Sequence, residues 1–332
     1  MNDPGSTVPA ATRRLDPDAA GLAQAAALLR AGALVAFPTE TVYGLGADAT
    51  DPAAVARIFA AKERPRFNPL IAHLADRDAA LAEGSFDEAA RRLAEAFWPG
   101  PLTLVVPAHA GTRVCDLARA GLPSVALRVP GHPVARALLE AVGRPVAAPS
   151  ANRSGRVSPT RAEHVLDDLA GRIAGLLDGG DTPVGVESTV VACLGGPPRL
   201  LRPGGITRAA LRAVLGFDPA APEAADADRP AGPGMLASHY APRARVRLDV
   251  ERVEPGEALL LFGGGRPEGH DRARAVLNLS PAGDPAEAAS RLFGALRDLD
   301  ASGAATIAVV PIQAEGLGEA IRDRLARAAA PR

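Results

Sequence analysis

Residues 218–233 contain no large apolar side chain. A stretch of that composition cannot anchor itself in a core and reads as a linker. At 332 residues the chain suits one large domain or two of ordinary size, and the linker favours two. We place the first unit at 14–216, the linker at 217–244 and the second unit at 245–332.

Within the first unit, apolar runs of strand length alternate with alanine- and leucine-rich helical patterns, separated by Gly and Pro. A helix from Asp16-Pro17 to near Gly32 leads into a strand at 34–37. Further helices are expected at about 52–61, 76–82, 86–97 and 207–215. Strands are expected near 70–74, 103–106, 125–129, 145–148, 173–177, 188–194 and 199–202. Thr160-Arg161-Ala162-Glu163 has the spacing of a capping box. The pattern implies an α/β fold with a mixed sheet covered on both faces. The second unit offers strands at 246–250, 258–262, 274–279 and 306–311 with helices at 285–300 and 316–329. That is a smaller, Rossmann-like α/β layout. Its Gly263-Gly264-Gly265 cluster does not complete G-x-G-x-x-G, because Glu268 stands where the last glycine belongs.

Several kinds of chemistry are disfavoured at once. A net charge of −1 supplies no global field toward nucleic acid or anionic membrane, and 3% aromatics make a poor base-stacking platform. An RNA partner could still be met through a local patch. Met1 to Arg14 has no apolar signal region, and no apolar run has the length of a membrane span, so the cytoplasm is the expected address. Cys115 and Cys193 lack a C-x-x-C partner and read as core residues rather than metal ligands. There is no H-E-x-x-H, no G-x-S-x-G and no Walker A loop. An enzyme built on this chain needs cationic and hydroxyl donors instead of a nucleophile or a protein-held metal.

Such donors are present. Of 37 lysines and arginines only Lys62 is lysine, which is either a compositional relic or a place where a compact ammonium is required. Pro65 biases Arg64 toward extended geometry, so Lys62 and Arg64 are expected to project together and hold a polyphosphate. Ser150 and Asn152 repeat the two-apart spacing after a strand and offer a hydroxyl and an amide. For each pair the alternative is a solvated loop. The two tyrosines sit in Thr41-Val42-Tyr43-Gly44-Leu45-Gly46 and Ser238-His239-Tyr240-Ala241-Pro242.

Phe37-Pro38-Thr39-Glu40-Thr41-Val42-Tyr43-Gly44-Leu45-Gly46, Lys62-Glu63-Arg64-Pro65 with Asn68-Pro69-Leu70, and Ser150-Ala151-Asn152 together resemble the YrdC-like family. Glu187-Ser188-Thr189-Val190 and Leu201-Arg202-Pro203-Gly204 match further family segments. Pro233-Gly234-Met235 and His239-Tyr240-Ala241-Pro242 are similar to the linker of its long form, which carries an extra C-terminal domain. The resemblance implies a twisted α/β sheet around an open cationic cavity. It implies synthesis of threonylcarbamoyl-AMP and pyrophosphate from L-threonine, bicarbonate and ATP, with Mg2+ carried on the phosphates. A separate tRNA threonylcarbamoyl transferase complex would then use the product beside the anticodon.

Position by position, the resemblance assigns threonine recognition to Thr41, His73, Arg128, Ala148 and Ser188. It assigns ATP contacts to Lys62, Arg64, Asn68, Ser124, Ser150, Asn152, Ser158, Arg202 and Tyr240, with Lys62, Arg64, Ser150 and Asn152 as the catalytic group. Thr39 and Tyr43 are expected to line the cavity, Tyr43 equally as a packing residue. The segment 234–242 is expected to fold over the nucleotide as a lid. A noncatalytic RNA-binding member of the same fold and a carbamoyl-handling maturation module are the competing classes. The first lacks a basic aromatic surface here, and the second lacks its cysteine-rich segments.

Overall fold

The computed structural model describes residues 11–222 and 239–331. In the first unit the elements run β1 (Arg13–Leu15), α1 (Ala19–Arg30), β2 (Val35–Phe37), β3 (Gly44–Asp48), α2 (Pro52–Lys62), β4 (Ile71–His73), α3 (Arg77–Leu81) and α4 (Glu88–Phe97). They continue with β5 (Leu102–Pro107), β6 (Ser124–Arg128), α5 (Pro133–Val142), β7 (Val146–Ala147), α6 (Ala162–Leu169), β8 (Gly175–Leu177), β9 (Thr189–Ala192), β10 (Arg199–Arg202) and α7 (Arg208–Leu215).

Among the described residues the strands form one mixed sheet in the order β1-β8-β2-β3-β7-β4-β6-β5-β9-β10. Side chains alternate between its faces. On one face Ala36, Ala72, Leu104, Leu127, Ala147 and Val191 join the main core. On the other, Phe37, Val146 and Ala148 pack with residues of α1 and α5. Farther along that same face lies only a small apolar cluster that includes Ile71, Val105, Ala126 and Val190. β4 and β6 are parallel with His73 opposite Arg128. Two-residue alternation puts both on the face of Ile71 and Ala126, above that small cluster.

The structure differs from the sequence reading in three informative places. β3 is not among the expected strands; it contains Gly44 and Gly46, and a Cβ on Gly46 would lie 2.9 Å from the Phe37 ring and 3.1 Å from the Val35 carbonyl oxygen. Those glycines allow close packing against β2. α5 was not anticipated; it begins at His132-Pro133 without a side-chain cap, so the usual start signal is missing. The capping box is offset: Arg161 is the N-cap of α6, and the Thr160 amide donates to His164 Nδ1 at 3.3 Å.

The second unit comprises β11 (Arg245–Arg247), β12 (Ala258–Leu261), β13 (Ala275–Asn278), α8 (Pro285–Ala301), β14 (Thr306–Val309) and α9 (Leu317–Ala329). Its strands are parallel, in the order β11-β14-β12-β13. Its core is shared with the first unit, because Val42, Val157 and Val186 belong to the same apolar cluster as Leu292, Phe293 and Ile321. Arg297 reinforces the contact by donating to the Val157 carbonyl at 2.5 Å and to Asp168 at 2.7 Å. Part of the proposed linker is also tied down: the Leu200 amide donates to the Ala220 carbonyl at 2.9 Å. Backbone pairing beside β10 needs no apolar side chain, which is why composition missed it. Pro233-Gly234-Met235 lies outside the described residues.

Candidate active site

A cavity opens above the small apolar cluster, between the β2–β3 loop, the ends of β4 and β6, the loop after β7, and the segment at 239–240. At one end stand Thr41, His73, Arg128, Ala148 and Ser188. Thr39 Oγ1 donates to the Val42 carbonyl at 2.7 Å and lies 2.8 Å from Thr41 Oγ1, fixing the β2–β3 loop. Arg128 is buried, and its Nη2 donates to Glu40 Oε1 at 2.8 Å. Arg128 Nε and Glu40 Oε2 have no partner, so the fork keeps donor capacity inside the cavity. Burial, aided by neighbouring Arg128, pushes the His73 imidazole down to about 3, so it is neutral near pH 7. Ser188 Oγ lies 2.7 Å from Thr103 Oγ1, and the Ser188 carbonyl accepts from Arg202 Nε and Nη2 at 3.1 and 2.9 Å. The Ala148 amide is tied to Ile71, leaving its small side chain as floor.

The other end is cationic. Arg64, Ser150, Arg202 and Tyr240 line it. Lys62 and Arg64 do not project as a pair. α2 runs through Lys62, and Glu63 closes it in the left-handed region at φ 54°. The turn sends the two side chains different ways. Lys62, fully buried, donates through Nζ to the Ser150 carbonyl at 2.5 Å and to the Asn152 carbonyl. Arg64 Nη2 reaches the Pro69 carbonyl at 3.2 Å, while its Nε has no partner. Lys62 thus clamps the very loop that carries Ser150 and Asn152, through backbone oxygens. Asn152 Nδ2 holds the Arg153 and Arg156 carbonyls at 2.9 and 2.8 Å, leaving Oδ1 unpartnered.

Buried Asn68 has neither side-chain atom satisfied. A buried amide in that condition awaits a ligand or water. Ser158 stands behind the cavity and donates to Glu187 Oε1 at 2.5 Å. Ser124 begins β6, about 13 Å along the strand from Arg128, and is not part of the lining. Tyr43 is a packing residue whose hydroxyl donates to the Gly180 carbonyl at 2.8 Å.

Electrostatically the cationic end is under strain. Burial and then the adjacent Arg64 charge push the Lys62 ammonium well below its usual range, and burial lowers Arg64 to about 10. His239 is held neutral by burial and by Arg64 and Lys62. A polyanion bound here would supply the missing countercharge.

Residues 27–204 match the Sua5/YciO/YrdC family profile, described as telomere recombination. The chain belongs to the Sua5/YciO/YrdC family. Residues 206–330 match the threonylcarbamoyl-AMP synthase C-terminal domain. Among relatives, threonylcarbamoyl-AMP synthase of Bacillus subtilis (strain 168) is 44% identical over 324 residues, spanning 94% of this chain and 93% of that one. The enzyme of the same name from Pyrococcus abyssi is 43% identical, spanning 92% of each chain. The crystal structure of P. abyssi Sua5 complexed with L-threonine superposes with a TM-score of 0.86 at 39% identity, over 96% of this chain and 97% of that one.

Membership in the Sua5/YciO/YrdC family sets the context for three residues to which sequence reading gave no role. Glu40 and Glu187 both lie within the quoted motifs, and a buried arginine nearby is the signal that each would carry a pairing role. Arg324, from α9, donates to Glu187 Oε2 at 2.7 Å. Nothing in the sequence distinguishes it from the chain's other arginines. Burial alone would raise the Glu187 carboxyl, but Arg324 and Arg202 outweigh it and keep it ionised.

Proposed function

We propose that this chain is a threonylcarbamoyl-AMP synthase, a nucleotidyltransferase that uses L-threonine, bicarbonate and ATP. The observation that carries the reading is the convergence of two donor sets on one cavity, a carboxylate-binding fork at Arg128 and a polyphosphate-binding set at Arg64, Arg202 and Ser150.

Arg128, oriented by Glu40, takes the threonine carboxylate, while Thr41, neutral His73 and Ser188 bound the rest of the amino acid. The threonine amine and bicarbonate give a carbamate and water. A carbamate oxygen then attacks the α-phosphorus, and the bond to pyrophosphate breaks. The nucleophile is already anionic, so no side chain has to abstract a proton at that step. Catalysis rests on alignment and on fixed cations that stabilise the departing pyrophosphate. The donor set at this end suits phosphate oxygens, so Mg2+ enters as part of the nucleotide substrate. The product would pass to a tRNA threonylcarbamoyl transferase complex.

The free volume in the cavity is about 50 Å3, room for a few waters and not for a nucleotide. His239 and Tyr240, both buried, form part of its lining. In this reading the segment they belong to moves aside as ATP enters and returns to exclude water from a hydrolysable anhydride.

The test is to incubate the folded protein with ATP, Mg2+, bicarbonate and labelled threonine. Pyrophosphate release should require threonine and bicarbonate and should parallel a labelled adduct. No release with every substrate present would reject the reading.

A further inference from the structure

Arg324 carries the charge of the second unit into the wall of the cavity. It is fully buried on α9. Nε donates to Glu187 Oε2 at 2.7 Å, Nη2 to the Pro203 carbonyl at 2.9 Å and Nη1 to Asp323 at 2.5 Å. Its guanidinium carbon stands 5.2 Å from the centre of the Tyr240 ring, which also meets Phe293, stacked at 5.6 Å, and His239, edge-on at 4.1 Å. Three of these contacts border the cavity. Glu187 accepts from Ser158, Pro203 follows Arg202, and Tyr240 lines the cavity. Segments around 187, 203 and 240 thus meet at one side chain contributed by the other unit.

A buried ion-pair network is a poor device for stability alone, since apolar packing of equal volume serves as well or better. Its geometry here serves something else. Without the guanidinium, Glu187 would lose its principal countercharge while the Arg202 charge remains nearby, and the Tyr240 ring would lose its cationic neighbour. Tyr240 lies at the nucleotide end, and Glu187 lines the cavity between that end and Ser188, whose carbonyl is held by Arg202. At the threonine end, Arg128 is held by Glu40, whereas the ion pairs of Arg324 are with Glu187 and Asp323.

We propose that Arg324 is a positioning residue for adenylation, fixing Glu187 and Tyr240 so that the nucleotide end is completed by the C-terminal unit. The proposal rests on the function argued above. The role belongs to guanidinium geometry, because one planar group forks to a carboxylate and a carbonyl while lying against a ring.

The test compares Arg324→Met, Arg324→Lys and the double variant Arg324→Met/Glu187→Gln with the parent in the full chain. Circular dichroism and urea unfolding check the fold. Calorimetry measures binding of a non-hydrolysable ATP analogue and, separately, of L-threonine. Pyrophosphate release gives kcat and both KM values. Folded Arg324→Met should bind the analogue at least about tenfold more weakly while threonine affinity stays within about twofold. Arg324→Lys should recover part of the loss, as should the double variant, which no longer strands a carboxylate. Parent-like analogue binding by folded Arg324→Met, or equal losses for both ligands, would overturn the proposal. If Arg324→Met does not fold, Arg324→Lys decides: about threefold or greater selective weakening supports the role, and parent-like binding overturns it. Parent protein that binds both ligands yet releases no pyrophosphate would refute the proposed activity and leave the binding comparison standing.

Discussion

Lys62 is fully buried and its ammonium donates to the carbonyls of Ser150 and Asn152, a setting that suits a compact charge better than a planar guanidinium. That explains physically why a chain otherwise written in arginine retains Lys62. Replacing it by arginine should push the 150–152 loop out of place and lower kcat/KM for pyrophosphate release by roughly 100-fold. Near-parent activity in Lys62→Arg would mean that the lysine is a relic of composition. The singularity of Lys62 was legible in the sequence, but its partners were not. Spacing suggested that Lys62 and Arg64 project together, whereas Lys62 still belongs to α2 and the left-handed turn at Glu63 redirects the chain before Arg64. The buried histidines make a second prediction at this scale. His73 is lowered to about 3 by burial and Arg128, and His164 to about 4 by burial, Arg297 and Arg161. Below pH 6.5 the unfolded chain gains protons that the folded chain refuses, so stability must fall as pH falls. Each group contributes roughly 1 kcal/mol per pH unit in that range. Urea midpoints should drop between pH 7 and pH 5, before most carboxylates titrate, and a flat profile would contradict the assignment.

The strands and helices were largely readable because their apolar periods are regular. What escaped were elements shaped by their neighbours, such as glycine-bearing β3 against Phe37 and uncapped α5. The same logic identifies Gly185, in the left-handed region at φ 74°, where a Cβ would lie 2.4 Å from the Ala289 carbonyl oxygen and the Ser290 Cα of α8. Backbone cannot yield there as a flexible side chain would. Gly185→Ala should cost about 2–4 kcal/mol and loosen the contact between the units. Urea unfolding and limited proteolysis check this, and parent-like behaviour in both would show that the α8 contact is dispensable.

Taken whole, the molecule places its candidate cavity beside the contact between its two units, and this was only half legible. The composition of 218–233 announces two units, and the motifs place most of the cavity in the first. That Arg324 would join Glu187 could not be read, since they lie 137 residues apart and the pair exists only once both units have folded and docked. The segment at 239–242 belongs to the same scale. Deleting 234–242 should increase threonine-independent ATP breakdown or reduce adduct yield, and unchanged kinetics with unchanged product lifetime would reject a lid. Most direct for the central claim is a crystal structure of the chain with L-threonine and a non-hydrolysable ATP analogue. We predict the triphosphate against Arg64, Arg202 and Ser150, with the threonine carboxylate on Arg128. A triphosphate seated away from these groups would contradict the account.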